Sequence, residues 1–480
     1  MFESVGTSYP AYFQSNLSRL QGSMSKSMLK IVADRATAEP QTLTNIRLPI
    51  GSLLNLQSLC LWFDITPTGS NPTFPTRYSS SFIKRLSLSM NNQTVSVIND
   101  YNLIYNLYAD HNNKAVSTGI AGEFLDNSIH WTEGGANGAT DSTITGVSSL
   151  MNTTPNRTYK MCINNWVGLF GSASTSIIST DKIGEIIVSI EWAPAFEVLG
   201  ATAEATQLTL AALVSSSYTV GDIYMTAEAL SFSDDSYYNA INTAEDLKIG
   251  FNDYIVTKFA GVTKTTGINV TTYISAGSID HIVGTALPSN AQAVSHMLAF
   301  GSLGTGATEG VVANASKYHA DPIAFTGAGT LAGGSLITTP SGDNFFSTRA
   351  FQRQLQLINT SQFSINNKQL NYGALNRSEI FQNNLQALGY ENVDASANGF
   401  NKNILSLAHY FKYYGGCFQS LELIDKDAFF ISGLSSAGSS CAINWVCTFS
   451  GTSTQDITPV IIAKLSKVLH IGTGRAIYIE

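Results

Sequence analysis

The seven histidines are the natural place to look for chemistry, and they stand apart: His111, His130, His281, His296, His319, His409 and His470. None belongs to an HExxH pair or to a Cys or carboxylate array at metal-ligand spacing; His319-x-Asp321 comes nearest. No Gly-x-Ser-x-Gly elbow occurs that would raise a serine nucleophile on a strand-to-helix turn. The stretches Gly301–Gly306 and Gly472-Thr473-Gly474 lack the strand-to-helix context and the lysine of a phosphate loop, so they read as turns. A glycosidase needs two carboxylates about 5–10 Å apart. Glu185 and Glu191 sit on one strand pattern at a spacing of roughly 20 Å. Cys60, Cys162, Cys417, Cys441 and Cys447 are scattered through apolar strand patterns, which predicts buried free thiols in a reducing compartment. No catalytic residue, metal or cofactor is expected. The chain reads as a building block, not an enzyme.

What such residues would need to position them is a large β framework. At 480 residues the chain is long enough for two domains. Only 12% of it is charged, about half the usual share, while Tyr and Phe number 20 and 24. Strands with polar uncharged faces give that mixture, and so do surfaces covered by further copies of the same chain. A net charge of −8 with a pI near 5.4 argues against coating nucleic acid by bulk electrostatics. Met1–Pro10 has no basic segment followed by an apolar one, so no secretory signal is expected. For that reason the Asn-x-Ser/Thr triplets at Asn92, Asn269 and Asn359 are read as chance.

The stretch Tyr218–Ala240 organises the rest. Val220, Ile223, Met225, Ala227 and Ala229 alternate with polar residues, slipping once near Gly221–Asp222, as a half-buried strand does. The pattern breaks at Ser233-Asp234-Asp235-Ser236, a turn or helix start. We therefore expect the last strand of one domain and the hinge into a second. Upstream, Thr44–Thr66 holds two strand patterns joined near Asn55. Phe82–Ile98 is a hairpin turning at Asn91-Asn92, Asp100–Asp110 a short helix, and Ile183–Leu199 a strand closed by Pro194. Downstream, Lys248–Phe259, Gly267–Val283, Phe418–Phe430, Ser440–Ser450 and Ile457–Ile471 read as strands. Phe351–Ile365 reads as a hairpin and Gly373–Leu388 as a helix. The Gly/Ser/Thr-rich stretches Lys114–Thr158 and Gly301–Asp343 are expected as outward loops.

The two halves echo one another. At an ungapped offset of 269, Phe82, Lys84, Leu86, Leu88 and Gln93 meet Phe351, Arg353, Leu355, Leu357 and Gln362. Ile190-x-Trp192 is echoed by Ile443-x-Trp445. The shared order of hairpin, helix and Trp-bearing strand supports two copies of one β-sandwich unit. At the N-terminus, Leu17, Leu20, Met24, Met28 and Ile31 fall on one helical stripe, with Arg19, Lys26 and Lys30 opposite. That spacing predicts an amphipathic helix over Ser15–Arg35.

On Phe82–Leu107 with its second copy Phe351–Leu388, on Ile183–Leu199 and on Tyr218–Phe232 running into SDDSYYNAI, the chain resembles the double jelly-roll major capsid proteins of tailless icosahedral viruses. That group includes virophages, polinton-like viruses, adenovirus and tectiviruses. The resemblance spans roughly Thr44 to Ile471. It implies two consecutive eight-stranded antiparallel jelly rolls with short helical inserts and an N-terminal helix, divided as arm 1–40, first roll 41–233 and second roll 234–480. It further implies homotrimeric, pseudo-hexagonal capsomers that tile an icosahedral shell around a DNA genome, located in the virion. The expected partners are copies of itself and neighbouring capsomers, penton and minor capsid proteins, and an internal membrane or packaged DNA at the inner face. The arm residues Leu17, Arg19, Leu20, Met24, Lys26, Met28, Lys30 and Ile31 are expected at that inner face. The competing reading is a two-domain β-sandwich protein for glycan binding or attachment.

Overall fold

The computed structural model describes residues 24–68, 72–73, 79–109, 158–198, 200–201, 217–232, 247–262, 265–288, 358–388, 416–422, 433–436, 440–450 and 457–480. The described chain is mainly antiparallel β with few helices, arranged as two jelly rolls. In the first, β1 (Met24–Val32), β8 (Ser217–Phe232), β3 (Leu53–Thr68) and β6 (Tyr159–Ile163) form a front sheet in that order. Strands β2 (Leu43–Leu48), β7 (Ile186–Trp192), β4 (Ile83–Met90) and β5 (Gln93–Asn99) form the back sheet. Pairs β1·β8, β2·β7, β3·β6 and β4·β5 nest inside one another, so the roll is one long hairpin wrapped on itself.

Every main pairing recurs eight strands later. The second front sheet is β9 (Leu247–Lys258), β16 (Ile457–Ile471), β11 (Ile279–Pro288) and β14 (Cys417–Ser420). The second back sheet is β10 (Gly267–Ile274), β15 (Cys441–Phe449), β12 (Ile358–Ile365) and β13 (Lys368–Gln369). Helix α1 (Tyr101–Ala109) follows β5, and α2 (Arg377–Ala387) holds the same place after β13. A capping box of Asn376 and Glu379 starts α2. Both innermost hairpins turn on Asn pairs with positive φ, Asn91-Asn92 at 49° and 63° and Asn366-Asn367 at 49° and 64°. Asn tolerates the left-handed region that tight hairpin turns require.

Each sandwich is closed by a buried tryptophan whose indole N–H is satisfied across the sheet. Trp192 donates to Thr44 Oγ1 at 2.9 Å and Trp445 to Ser361 Oγ at 3.0 Å. Both rings are fully buried, where an unpaired N–H would be costly.

Four expectations are corrected. The helix expected over Ser15–Arg35 is not one in its described part: Met24–Val32 is strand β1, paired residue by residue with β8 from Met24↔Phe232 to Val32↔Tyr224. These residues thus belong to the first roll and not to a separate arm. A sheet edge with unpaired amides outweighs a weak 3.6-residue pattern. Second, β2 and β3 join at Gly51, φ 83°, and not near Asn55, which lies inside β3 at a bulge. Third, Gly267–Val283 is two strands, β10 and the start of β11. Fourth, the repeat register is shifted. Met90 and Ile365 face Ile186 and Ile443, which equates positions 275 apart (365 − 90), not 269. The same pairs equate Ile443 with Ile186 and not with Ile190. Both shifts are even, and an alternating pattern matches itself at any even shift.

Candidate interaction surfaces

The chemistry-bearing residues come to rest in structural roles. Glu185 and Glu191 are engaged by Arg47 and Arg85. His281 is buried, and burial together with Lys464 pushes its pKa down to about 3, so it is neutral. His470 lies 3.2 Å from Glu480 and stacks on Tyr478. Among the described residues no cluster of His, Cys, Asp and Glu could hold a metal ion. His319 and Asp321, the loop Lys114–Thr158 except for Thr158 itself, the loop Gly301–Asp343, and the hinge Ser233–Ser236 lie outside the described residues, as do Leu17, Arg19 and Leu20.

The rolls meet along a built seam. Tyr108 of α1 packs edge-on against Tyr254 of β9 and Phe418 of β14. The free edge of β9 is capped by the first roll: Gly250 N donates to Ser174 Oγ at 2.9 Å and Asn252 N to Ser172 Oγ at 2.8 Å. Ser96 of β5 donates to Asp253 Oδ1 at 2.8 Å. At one end Asp100 Oδ1 accepts from Lys84 at 2.8 Å and from Lys258 of β9 at 2.6 Å. Lys84 also reaches Glu197 at 2.5 Å, and Asn102 donates to the other oxygen of Glu197 at 2.6 Å. Burial alone would raise the carboxyl of Asp100, but Lys84 and Lys258 outweigh it and hold it below the ordinary range. Burial likewise opposes the charge on Lys84, and Glu197 and Asp100 outweigh that and hold it above its ordinary value.

The seam leaves the two front sheets unequal. The second is buried on both faces. Ile282, Ile461 and Ala463 fill its own sandwich, while Val283, Val460 and Ile462 join the cluster shared with the first roll. The first front sheet alternates instead: β3 runs buried-intermediate from Leu59 to Thr68, with Trp62 and Tyr224 stacked on its outer face at 6.1 Å. On that face Lys30 lies over the Tyr224 ring at 3.8 Å and Lys26 pairs with Glu228 at 3.5 Å. Met28 and Val32 are 64% and 66% exposed. Ile31, expected on one stripe with Met24 and Met28, points into the sandwich, because neighbours on a strand face opposite ways. The helices are unequal too. Apolar α1 is buried from Tyr101 through Leu107, whereas α2 keeps Ser378, Gln382 and Gln386 exposed. Sequence reasoning missed both the seam and the outer face, since pairing across 150 residues leaves no local pattern.

The fold defines the class: a double jelly-roll chain. No family model matches the sequence, and no curated protein matches it. Solved structures do. The PBCV-1 virus capsid chain is 11% identical with a TM-score of 0.56, covering 95% of this chain and 96% of that one. A chain of the Sputnik virophage structure is 11% identical at 0.54, covering 95% and 88%. The Faustovirus major capsid protein is 9% identical at 0.50, covering 94% and 91%. These likenesses establish a shared fold over nearly the whole length.

Proposed function

We propose that the chain is a structural virion protein, not an enzyme: a major capsid protein whose homotrimers form pseudo-hexagonal capsomers. Those capsomers tile an icosahedral shell around a DNA genome, joined by penton and minor capsid proteins and facing a membrane or the packaged DNA within. Its building units are the rolls 24–232 and 247–480. The observation that carries this reading is the unequal covering of two equivalent sheets. In the second roll the front sheet is covered by the β5–α1 side of the first. Among the described residues no such cover lies on the first roll's front sheet, where Met28 and Val32 are exposed, and the matching β13–α2 side of the second roll keeps Lys368, Gln369, Ser378, Gln382 and Gln386 exposed. A face and its cover left open on one molecule make a heterologous contact that repeats head to tail, and it closes as a ring when the rotation from copy to copy divides a full turn. The resemblance to double jelly-roll capsid proteins implies three copies in that ring. Lys26, Met28 and Lys30 are assigned to this inter-copy face and not to an inner-surface helix.

Light scattering after size exclusion tests the reading. The wild-type chain should run near three times 51.4 kDa. Met28→Glu with Val32→Glu should run as a monomer with its melting temperature within a few degrees of wild type, since both side chains are exposed. A wild-type monomer, or trimers in the double variant, would overturn the assignment.

A further inference from the structure

We propose that the seam between the rolls is an acid-released joint: a proton on His281 parts the two rolls while each sandwich stays folded. One row crosses the seam face of the second front sheet, from Tyr254 of β9 through Lys464 of β16 and His281 of β11 to Ser420 of β14. His281 follows this face because its neighbour Ile282 fills the sandwich behind, and successive side chains on a strand alternate. Tyr108 of α1 closes over the row from the first roll, against Tyr254 and Phe418. His281 is 7% exposed, and among the described residues neither of its ring nitrogens has a hydrogen-bond partner. The buried Tyr108 hydroxyl has none either. The joint thus holds two orphaned polar groups, one from each roll.

The charged groups around His281 are already engaged. Asp280 accepts from Ser278 at 2.9 Å and from Ser466 at 2.7 Å. Asp253, beside Tyr254, is held by Ser96 and Lys467. Lys464 lies between two carboxylates, 3.7 Å from Glu422 and 3.9 Å from Asp280. Glu422 also comes within 3.8 Å of His281 Nε2, beyond hydrogen-bond reach. A neutral ring fits this setting. An imidazolium would stand directly across the ladder from Lys464, buried and with no acceptor bonded to it. Water relieves that charge, and among the described residues no strand pair crosses the seam, so parting the rolls admits water without breaking either sandwich. The closed joint is therefore complete above about pH 6.5 and is released as pH falls. In stronger acid, protonation of Asp100 acts on the same joint by freeing Lys258. The device lies within one chain and stands whether or not copies assemble.

Hydrogen exchange of the full chain at pH 7 and pH 5, corrected for the intrinsic effect of pH on exchange, tests the joint. Its reporters are the Gly250 and Asn252 amides, which donate across the seam to Ser174 and Ser172. In wild type their protection should fall roughly twentyfold at pH 5, while amides of β7 and β15 keep theirs. His281→Leu cannot take the charge and should hold the seam protection constant to within about twofold. Should that variant not fold, His281→Gln carries the same expectation. Asp100→Asn should lower seam protection at both pH values and leave their ratio as in wild type. Equal seam protection at the two pH values in wild type, or an undiminished fall in the His281 variants, would overturn the proposal. So would a fall in β7 and β15 as large as at the seam, because that is unfolding and not parting.

Discussion

Gly284→Val is expected to leave no folded second roll. Gly284 sits in the middle of β11, hydrogen-bonded between β14 and β16. A Cβ there would lie 2.4 Å from Trp445 Cε2, 2.5 Å from Cδ2 and 2.9 Å from Cζ2. The indole cannot retreat. Its N–H is held by Ser361, its ring stacks on Phe363 at 6.1 Å, and it is fully buried. Overpacking of a rigid core costs about 1–3 kcal/mol for a single methyl and more for a branched side chain. Gly284→Ala should therefore unfold at lower denaturant by about 3 kcal/mol, and Gly284→Val should yield no soluble chain. Pairing Gly284→Ala with Trp445→Leu should recover part of the loss measured for the single changes. Alanine at 284 with an unchanged unfolding midpoint would sink the argument.

The second large effect is expected from Asp100→Asn. Asparagine accepts the φ of 51° at this position, so the change removes charge and leaves the backbone as it is. Lys84 and Lys258 then face each other across the seam without the carboxylate that both now share. Removing one partner of a buried ion pair costs up to about 3–5 kcal/mol, and partial exposure of Lys258 brings the expectation to about 2 kcal/mol. The pH dependence follows from the two shifts. Asp100 is held low, so its contribution is complete above the unfolded carboxyl pKa and is lost as pH falls through the folded value. Lys84 is held high, so its contribution is complete below the unfolded lysine pKa and is lost as pH rises through the folded value. The share of stability that this ion pair contributes should be level between about pH 5 and 9 and decline at each end, on top of a loss below about pH 6.5 that buried, neutral His281 causes in wild type and variant alike. Asp100→Asn should flatten the acid decline, which urea unfolding at pH 3.5 and pH 7 would read. An acid limb as steep in the variant as in wild type would refute this role.

Where sidedness is local, the sequence discloses it. The slip noticed at Gly221–Asp222 is a real bulge: the β8·β3 register jumps between Gly221 and Tyr224, and Asp222 has φ 43°. The Asn91-Asn92 turn was legible, because turn geometry selects few residue types, whereas Phe351–Ile365, expected as a hairpin, is in its described part the single strand β12 and turns only beyond it, at Asn366-Asn367. What misled was alternation itself. Leu86 and Leu88 match Leu355 and Leu357 as well as they match their true counterparts Ser361 and Phe363, since nothing in a period of two marks which even step is right. Met24, Met28 and Ile31 made a helical stripe only because they were read without β8, some 200 residues away, which turns Ile31 inward and Met28 outward.

The nested pairing also orders events in time. Within each roll β4·β5 and β12·β13 close over two residues, and the next pairs close over progressively longer chain until β1 meets β8 and β9 meets β16. Loop entropy makes the short closures fast and the long ones late, so folding should zip from the inner hairpin outward and run slowly overall. Opening should reverse that order, with β1 amides exchanging with solvent before those of β4, as pulsed hydrogen exchange would register. In the first roll the last strand to arrive, β1, carries the bare Met28 and Val32. A chain still folding therefore does not yet display the surface to which another copy would bind, and its own kinetics hold association back until the protomer is complete.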